Sequence, residues 1–186
     1  MTYERKNQTN TLKVLELEVF IGPITEIKAN HFLHLNNENR TKPNFLACLN
    51  PHSFVLAKEN EIFCKALEYA SYLVVDGIGL QIFLQVFSRQ KVHRNTGMDC
   101  FISILQSVPE DRSANVFFIG STEDVLNKIR NRFGAEFPNL TFAGSYSPTF
   151  TDEWDGQEVL KMQKLITDNN VDILFVGLTA PKQELL

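Results

Sequence analysis

Five short, mainly apolar runs recur along this chain, and most of them alternate with sequence that reads as amphipathic helix. The runs are Phe45–Leu49, Tyr72–Val75, Val116–Ile119, Leu140–Ala143 and Val171–Val176. A strand that is apolar at every position, not at every second one, has to be covered on both faces. Such strands alternating with helices are the pattern of a parallel sheet. Helix-like sequence covers His52–Ala70, Ile78–Phe87 and a segment around Glu158–Asp168. Another helix follows Ser121 or Thr122, either of which can cap it, with Val125, Ile129 and Phe133 four residues apart. The expected fold class is α/β: a Rossmann-like, mostly parallel sheet with helices on both faces.

The remaining segments are less regular. Leu12–Phe20 alternates apolar and polar residues and reads as a strand, punctuated by Gly22-Pro23. Thr25–Asn37 reads as a helix carrying Ile27, His31, Phe32 and Leu35, and Asn36–Arg40 as loop. Ser88–Thr96 and Gly144–Thr151 interrupt the strand and helix rhythm. Residues 1–10 are expected to form a frayed tail and 11–186 a single α/β domain. At 186 residues the chain is long enough to bury a large core. Phe occurs 15 times and Trp once, so much of that core is expected to be phenylalanine.

Charge and cysteine usage narrow the class. The net charge of -4 speaks against a nucleic-acid partner, which calls for a basic face. Cys48, Cys64 and Cys100 have no CxxC spacing, which suits a reducing compartment and small core residues better than a disulfide scaffold. The polar N-terminus has no apolar signal core, and no stretch approaches the roughly 20 apolar residues of a membrane span. A cytoplasmic protein is expected.

In an open parallel sheet, ligands collect beyond the carboxyl ends of the strands. Those ends carry Asn50-Pro51, Asp76-Gly77-Ile78-Gly79, Gly120-Ser121-Thr122, Gly144-Ser145 and Gly177 onward. Asp76 directly follows a buried run. A carboxylate there can accept a proton from a substrate hydroxyl, or it can simply cap the next helix. Gly77-x-Gly79 lacks the third glycine of a dinucleotide fingerprint. Arg89-Gln90-Lys91-Val92-His93-Arg94 places three cations in six residues, either as a diphosphate site with Arg94 as clamp or as a solvated loop. Gly97-Met98-Asp99 starts a helix, with Asp99 either a first-turn acid or a ligand to a sugar hydroxyl. Gly177-Leu178-Thr179-Ala180-Pro181-Lys182-Gln183-Glu184 sets a cation near a helix N-terminus, an unfavourable place unless an anion is bound. His31, His34, His52 and His93 form no metal-ligand pattern.

Taken in order, Asn50-Pro51, Val75-Asp76-Gly77-Ile78-Gly79, Arg94-x-x-Gly97-x-Asp99, Phe118-Ile119-Gly120 and Val176-Gly177-x-x-Ala180-Pro181-Lys182-Gln183-Glu184 resemble the WecG/TagA/CpsF glycosyltransferase family, from about Leu15 to the last residue. The resemblance implies an inverting enzyme without a cofactor or an obligate metal. It implies transfer of an N-acetylhexosamine-type sugar, N-acetylmannosamine or its uronic acid, from a UDP donor to an undecaprenyl-diphosphate-linked sugar. The products feed teichoic acid, common antigen or capsule. The reaction takes place at the inner face of the bacterial plasma membrane, so the enzyme is peripheral to that surface. A homo-oligomer is compatible with it. The resemblance carries the catalytic base onto Asp76 and pocket roles onto Asn50, Arg94 and Gln183. Gly77, Gly79, Gly97, Asp99, Gly120, Gly177, Pro181, Lys182 and Glu184 fall within its substrate-binding blocks.

Three departures stand out. Cys48 replaces a threonine found in some relatives, Thr179 replaces a glycine found in many, and the chain stops at Leu186, short of the family's basic C-terminal appendage. The last implies a kept fold with weak or no transfer activity alone. Competing readings are a nucleotide-sugar or dinucleotide-binding module without transfer chemistry, and a non-catalytic scaffold in polysaccharide assembly.

Overall fold

The computed structural model describes residues 10–27, 44–151 and 154–186. The chain separates into two compact units, residues 1–104 with Leu185 and residues 105–184 with Leu186. Each holds one sheet and is described by itself.

The first unit opens with a hairpin. Strands β1 (Thr11–Val14) and β2 (Leu17–Phe20) pair antiparallel, Thr11 opposite Phe20 and Val14 opposite Leu17. The expected single strand Leu12–Phe20 is therefore two. Leu15 takes a left-handed φ of 56° in the turn and stays exposed. The adjacent apolar pair Val14-Leu15, which breaks strict alternation, marked that turn in the sequence. Ile24–Glu26 forms one 3-10 turn and Ile27 is already extended, so no α-helix runs through Thr25–Ile27. The rest of the expected helix, with His31 and His34, and the loop Asn36–Arg40 lie outside the described residues.

Strands β3 (Leu46–Leu49) and β4 (Tyr72–Val75) are parallel, Leu46 opposite Tyr72 and Leu49 opposite Val75. β2 also pairs parallel with β4 through Phe20 and Val74, giving the order β1-β2-β4-β3. β4 is thus interior, which is why Leu73, Val74 and Val75 are all buried.

Between β3 and β4 the expected helix His52–Ala70 is two helices, α1 (Pro51–Glu59) and α2 (Glu61–Glu68). Asn60 divides them. Its extended backbone ends α1 with its amide donating to the Leu56 carbonyl at 2.8 Å, while its Oδ1 accepts the Phe63 amide at 2.9 Å and starts α2. A short polar side chain that can serve the backbone itself competes with helix continuation. Helices α3 (Ile78–Ser88) and α4 (Gly97–Gln106) follow. Phe20, Ile24, Ile27, Val74, Cys100 and Ile104 form one buried cluster, with Cys48 packed at its margin.

The second unit centres on β5 (Asn115–Gly120), flanked in parallel by β6 (Thr141–Tyr146) and β7 (Ile173–Gly177). β6 runs on through Gly144 and Ser145, where the sequence reading ends the strand at Ala143. The pairing with β5 slips there, Val116 facing Phe142 and Phe117 facing Gly144, and that irregularity hides the strand's length in the apolar pattern. Helix α5 (Glu123–Glu136) starts at the cap Thr122, and α6 (Gly156–Asp168) at the cap Asp155.

Alternate residues of β5 point to opposite faces. Phe117 and Ile119 pack with Met162 of α6. Phe118 stacks on Phe142 and Phe175 at 5.6 Å and meets Phe133 of α5 edge-on at 5.8 Å. This sheet is therefore covered by helices on both faces, and a large part of its core is phenylalanine, as the composition suggests. The α/β, Rossmann-like layering expected from the sequence is what the strands and helices build.

Phe118→Ala should cost about 3–5 kcal/mol, the usual range for emptying an aromatic site in a core. Phe150→Ala, at a fully exposed position, should stay within about 0.5 kcal/mol. Urea unfolding followed by Trp154 fluorescence measures both, since Trp154 packs in the second unit's core.

Candidate functional site

In the first unit the ends of β3 and β4 are tied together. The Asp76 amide donates to the Leu49 carbonyl at 2.8 Å, so Asn50 and Asp76 leave neighbouring strand ends. Asn50 caps α1 reciprocally: its Oδ1 accepts the Ser53 amide at 2.9 Å and its own amide donates to Ser53 Oγ at 2.8 Å. That use occupies the amide oxygen and leaves Nδ2 with no hydrogen bond among the described residues. Pro51, at the first position of α1, lies against the glycines after Asp76. A Cβ on Gly77 would sit 3.4 Å from its ring, and Gly77 has a φ of 86°, which disfavours any side chain. A Cβ on Gly79 would stand 3.9 Å from the same ring. The structure thus brings Asn50, Pro51, Asp76, Gly77 and Gly79 together.

The residue that caps α3 is Gly77, with no side-chain hydrogen bond. Of the two uses the sequence leaves open for Asp76, helix capping is not the one observed. Its carboxylate is half-buried and has no hydrogen bond or cation among the described residues.

The basic loop is anchored by a residue that the sequence reading passes over. Asn95 is 2% exposed. Its amide donates to the Val75 carbonyl at 2.7 Å, its Nδ2 to the Gly22 carbonyl at 3.0 Å, and its Oδ1 accepts the Ile24 amide at 2.8 Å. The Val75 bond joins the residue after Arg94 to the residue before Asp76, so the exposed Arg94 is held beside the end of β4. Nothing in the one-letter pattern distinguishes Asn95 from a solvated loop asparagine; its burial is a tertiary fact. Asp99 is a first-turn acid of α4. Its Oδ2 accepts the Thr96 hydroxyl at 2.7 Å and the Thr96 amide at 2.8 Å, and these donors hold its carboxyl below the ordinary range. The Thr-x-x-Asp spacing was the available signal for that cap. Gly97 faces open space: a Cβ there meets nothing within 4 Å.

In the second unit Gly120 and Gly177 are opposed at the ends of β5 and β7. A Cβ on Gly120 would lie 2.3 Å from the Gly177 carbonyl oxygen, and its φ is 115°, so only glycine fits. The chain then passes a cis Ala180-Pro181 bond into α7 (Lys182–Leu185). Lys182 does begin that helix, and its ammonium donates to the Thr151 carbonyl and lies 5.4 Å from the Trp154 ring centroid. A carbonyl and an aromatic face therefore meet a cation for which the sequence suggests an anion. Gln183 Nε2 donates to Glu184 Oε1 at 2.6 Å. Glu184 Oε2 is buried with no partner among the described residues, and burial raises this carboxyl's pKa. Tyr146, which the sequence reading passes over, donates to Glu158 at 2.8 Å and accepts from Lys161 at 2.7 Å.

Among the described residues no helix is long and apolar enough to cross a membrane. Cys100 is buried, Cys48 and Cys64 are half-buried, and all three are free thiols.

Residues 16–186 match the family model described as Glycosyl transferase WecG/TagA/CpsF family. A Staphylococcus aureus (strain NCTC 8325 / PS 47) protein named N-acetylglucosaminyldiphosphoundecaprenol N-acetyl-beta-D-mannosaminyltransferase is 25% identical over 184 residues, covering 99% of this chain and 69% of that protein. A Bacillus subtilis (strain 168) protein of the same name is 27% identical over 140 residues, covering 75% of this chain and 52% of that protein. A match running through both units and across the ends of β3, β4, β5 and β7 shows that the chain belongs to the glycosyl transferase WecG/TagA/CpsF family.

Proposed function

We propose that this chain transfers N-acetylmannosamine, or its uronic acid, from a UDP donor to an undecaprenyl-diphosphate-linked sugar, with inversion and with Asp76 as general base. One observation carries the reading: the Asp76 carboxylate stands at the end of an interior parallel strand, half-buried, and among the described residues it is neither spent on a helix cap nor paired with a cation. The named activity of the Staphylococcus and Bacillus relatives supports the substrate class.

In the proposed step Asp76 takes the proton from the acceptor hydroxyl. The hydroxyl oxygen bonds to the anomeric carbon of the donor sugar as the bond from that carbon to the UDP oxygen breaks. Attack from the side opposite the leaving group inverts the centre. UDP departs with the bonding electrons, and a cation must meet the charge that grows on its phosphate. Arg94 is the cation that the loop holds beside β4, and its guanidinium can take two phosphate oxygens at once. Asn50 Nδ2 is a neutral donor at the neighbouring strand end. Gly77, Gly79 and Gly97 let backbone and ligand approach closely, and Asp99 contacts a sugar hydroxyl through the oxygen its cap leaves unused. For the second unit we assign substrate contacts to Gly120, Gly177, Pro181, Lys182, Gln183 and Glu184. Lys182 must leave the Thr151 carbonyl to reach a phosphate. Because the acceptor is lipid-linked, the reaction takes place at a membrane surface, on its cytoplasmic side.

Three outcomes follow. UDP at about 100 times its dissociation constant should raise stability by about 2.7 kcal/mol, and NAD should leave the melting temperature where it was. An equal shift with NAD would favour a dinucleotide module. Asp76→Asn should lower kcat for transfer to undecaprenyl-diphosphate-linked N-acetylglucosamine by about 10²–10⁴ while UDP binding persists; unchanged turnover would remove the base role. Arg94→Ala should weaken UDP binding by about tenfold or more, and Arg94→Lys should restore only part of it, because lysine cannot bind phosphate bidentately. Titration of UDP into each variant measures the difference.

A further inference from the structure

Helix α3 carries large apolar side chains that the transfer chemistry does not use. None of its eleven residues is charged. Leu80 and Leu84 are its buried pair. Gln81 Nε2 donates to the Val92 carbonyl at 2.8 Å, and Gln85 Oε1 accepts the Val92 amide at 3.4 Å. Those four residues share one side of the helix. At about 100° per residue, Ile78, Ile82, Phe83, Val86 and Phe87 take up the other side, an arc of roughly 180°. All five are exposed, Val86 at 69% and Phe87 at 74%, and the Phe83 and Phe87 rings touch at 4.5 Å between centroids. A helix at a solvated surface turns charged or polar residues outward, so a stripe of five large apolar side chains marks an interaction site.

The loop after α3 supplies the charge that selects a partner. Arg89 and Lys91 are exposed, and Val92 between them and His93 is buried and bonded to Gln81 and Gln85. That anchor holds both cations at the C-terminal end of the apolar stripe. Between Gly77 and Met98 there is no Asp or Glu. A second copy of the chain, meeting this surface with its own, would set like charges together. An apolar, aromatic-bearing helix face with cations at its rim fits an anionic bilayer instead: the side chains enter the acyl boundary and the cations meet lipid phosphates.

We infer that the α3 face, with Arg89 and Lys91, docks the protein on an anionic lipid bilayer. The stripe begins two residues after Asp76, so docking would hold the candidate base close to the membrane surface. The inference rests on the proposed transfer reaction only for its purpose, since a lipid-linked acceptor has to be met at a bilayer.

The test is co-sedimentation of the 186-residue chain with vesicles of phosphatidylcholine plus phosphatidylglycerol, against phosphatidylcholine alone. The chain should bind the anionic vesicles more tightly, and less so as salt rises. Phe83→Ser/Phe87→Ser should weaken that binding by about tenfold or more. Arg89→Gln/Lys91→Gln should remove most of the preference for phosphatidylglycerol. Should the double serine variant unfold, Val86→Ser on the same arc is measured in its place. Undiminished binding by the folded serine variant overturns the inference. So does an apolar face that proves to mediate self-association, seen as a change of oligomeric state with vesicle binding intact, and so does binding that appears only when the vesicles contain undecaprenyl phosphate. UDP-induced stabilisation, measured on the same preparations, reports on the transferase reading separately. Its loss together with intact vesicle binding counts against that reading and not against the docking surface.

Discussion

The buried side chain of Asn95 is the point on which the first unit's candidate site depends. A primary amide taken out of water has to have its donors and acceptors met, or it costs several times what a satisfied hydrogen bond contributes. Here the Asn95 amide group serves the backbone on both sides of the Pro23 turn, and its own main-chain amide reaches the end of β4. Three segments far apart in the chain are held at one point. The loop carrying Arg94 is thereby fixed to the strand that delivers Asp76, although most of its side chains lie in solvent.

Asp76 is left for chemistry because its neighbours carry the structural work. Gly77 absorbs the positive φ at the turn and stands as the helix cap. Pro51 fills the space beside it, and Asn50 caps α1 with its side-chain oxygen and its own backbone amide. Each residue that closes off a strand end does so with backbone or with one half of a bifunctional side chain. What remains is a carboxylate on one strand end and an amide nitrogen on the next.

The second unit is built differently. Its sheet is interleaved with aromatic rings, Phe118 between Phe142 and Phe175 and against Phe133, and its turn of functional interest is short and packed. There Lys182 turns to the Thr151 carbonyl and the Trp154 ring, and half-buried Glu184 has one buried oxygen without a partner among the described residues. Substrate contacts by these two side chains would need those arrangements to change.

Much of this was legible in the sequence. Short, mainly apolar runs alternating with helix-like sequence are the pattern of strands covered on both faces, so the parallel α/β layering and the location of Asp76, Asn50 and Gly177 at strand ends were legible from patterning. The motif blocks were enough to identify the family. Local exceptions were within reach but ambiguous: the Leu15 turn, the break at Asn60 and the Thr96–Asp99 cap each depend on one side chain outcompeting regular structure. Other features belonged to tertiary structure. That Asn95 is buried, that Gly77 and not Asp76 caps α3, that Lys182 has a carbonyl partner, and that the apolar arc of α3 faces water are set by contacts between segments distant in the chain. Periodicity records only that a side chain is apolar or polar, and the same leucine, phenylalanine or asparagine can face a core, a partner or solvent until the packing decides which.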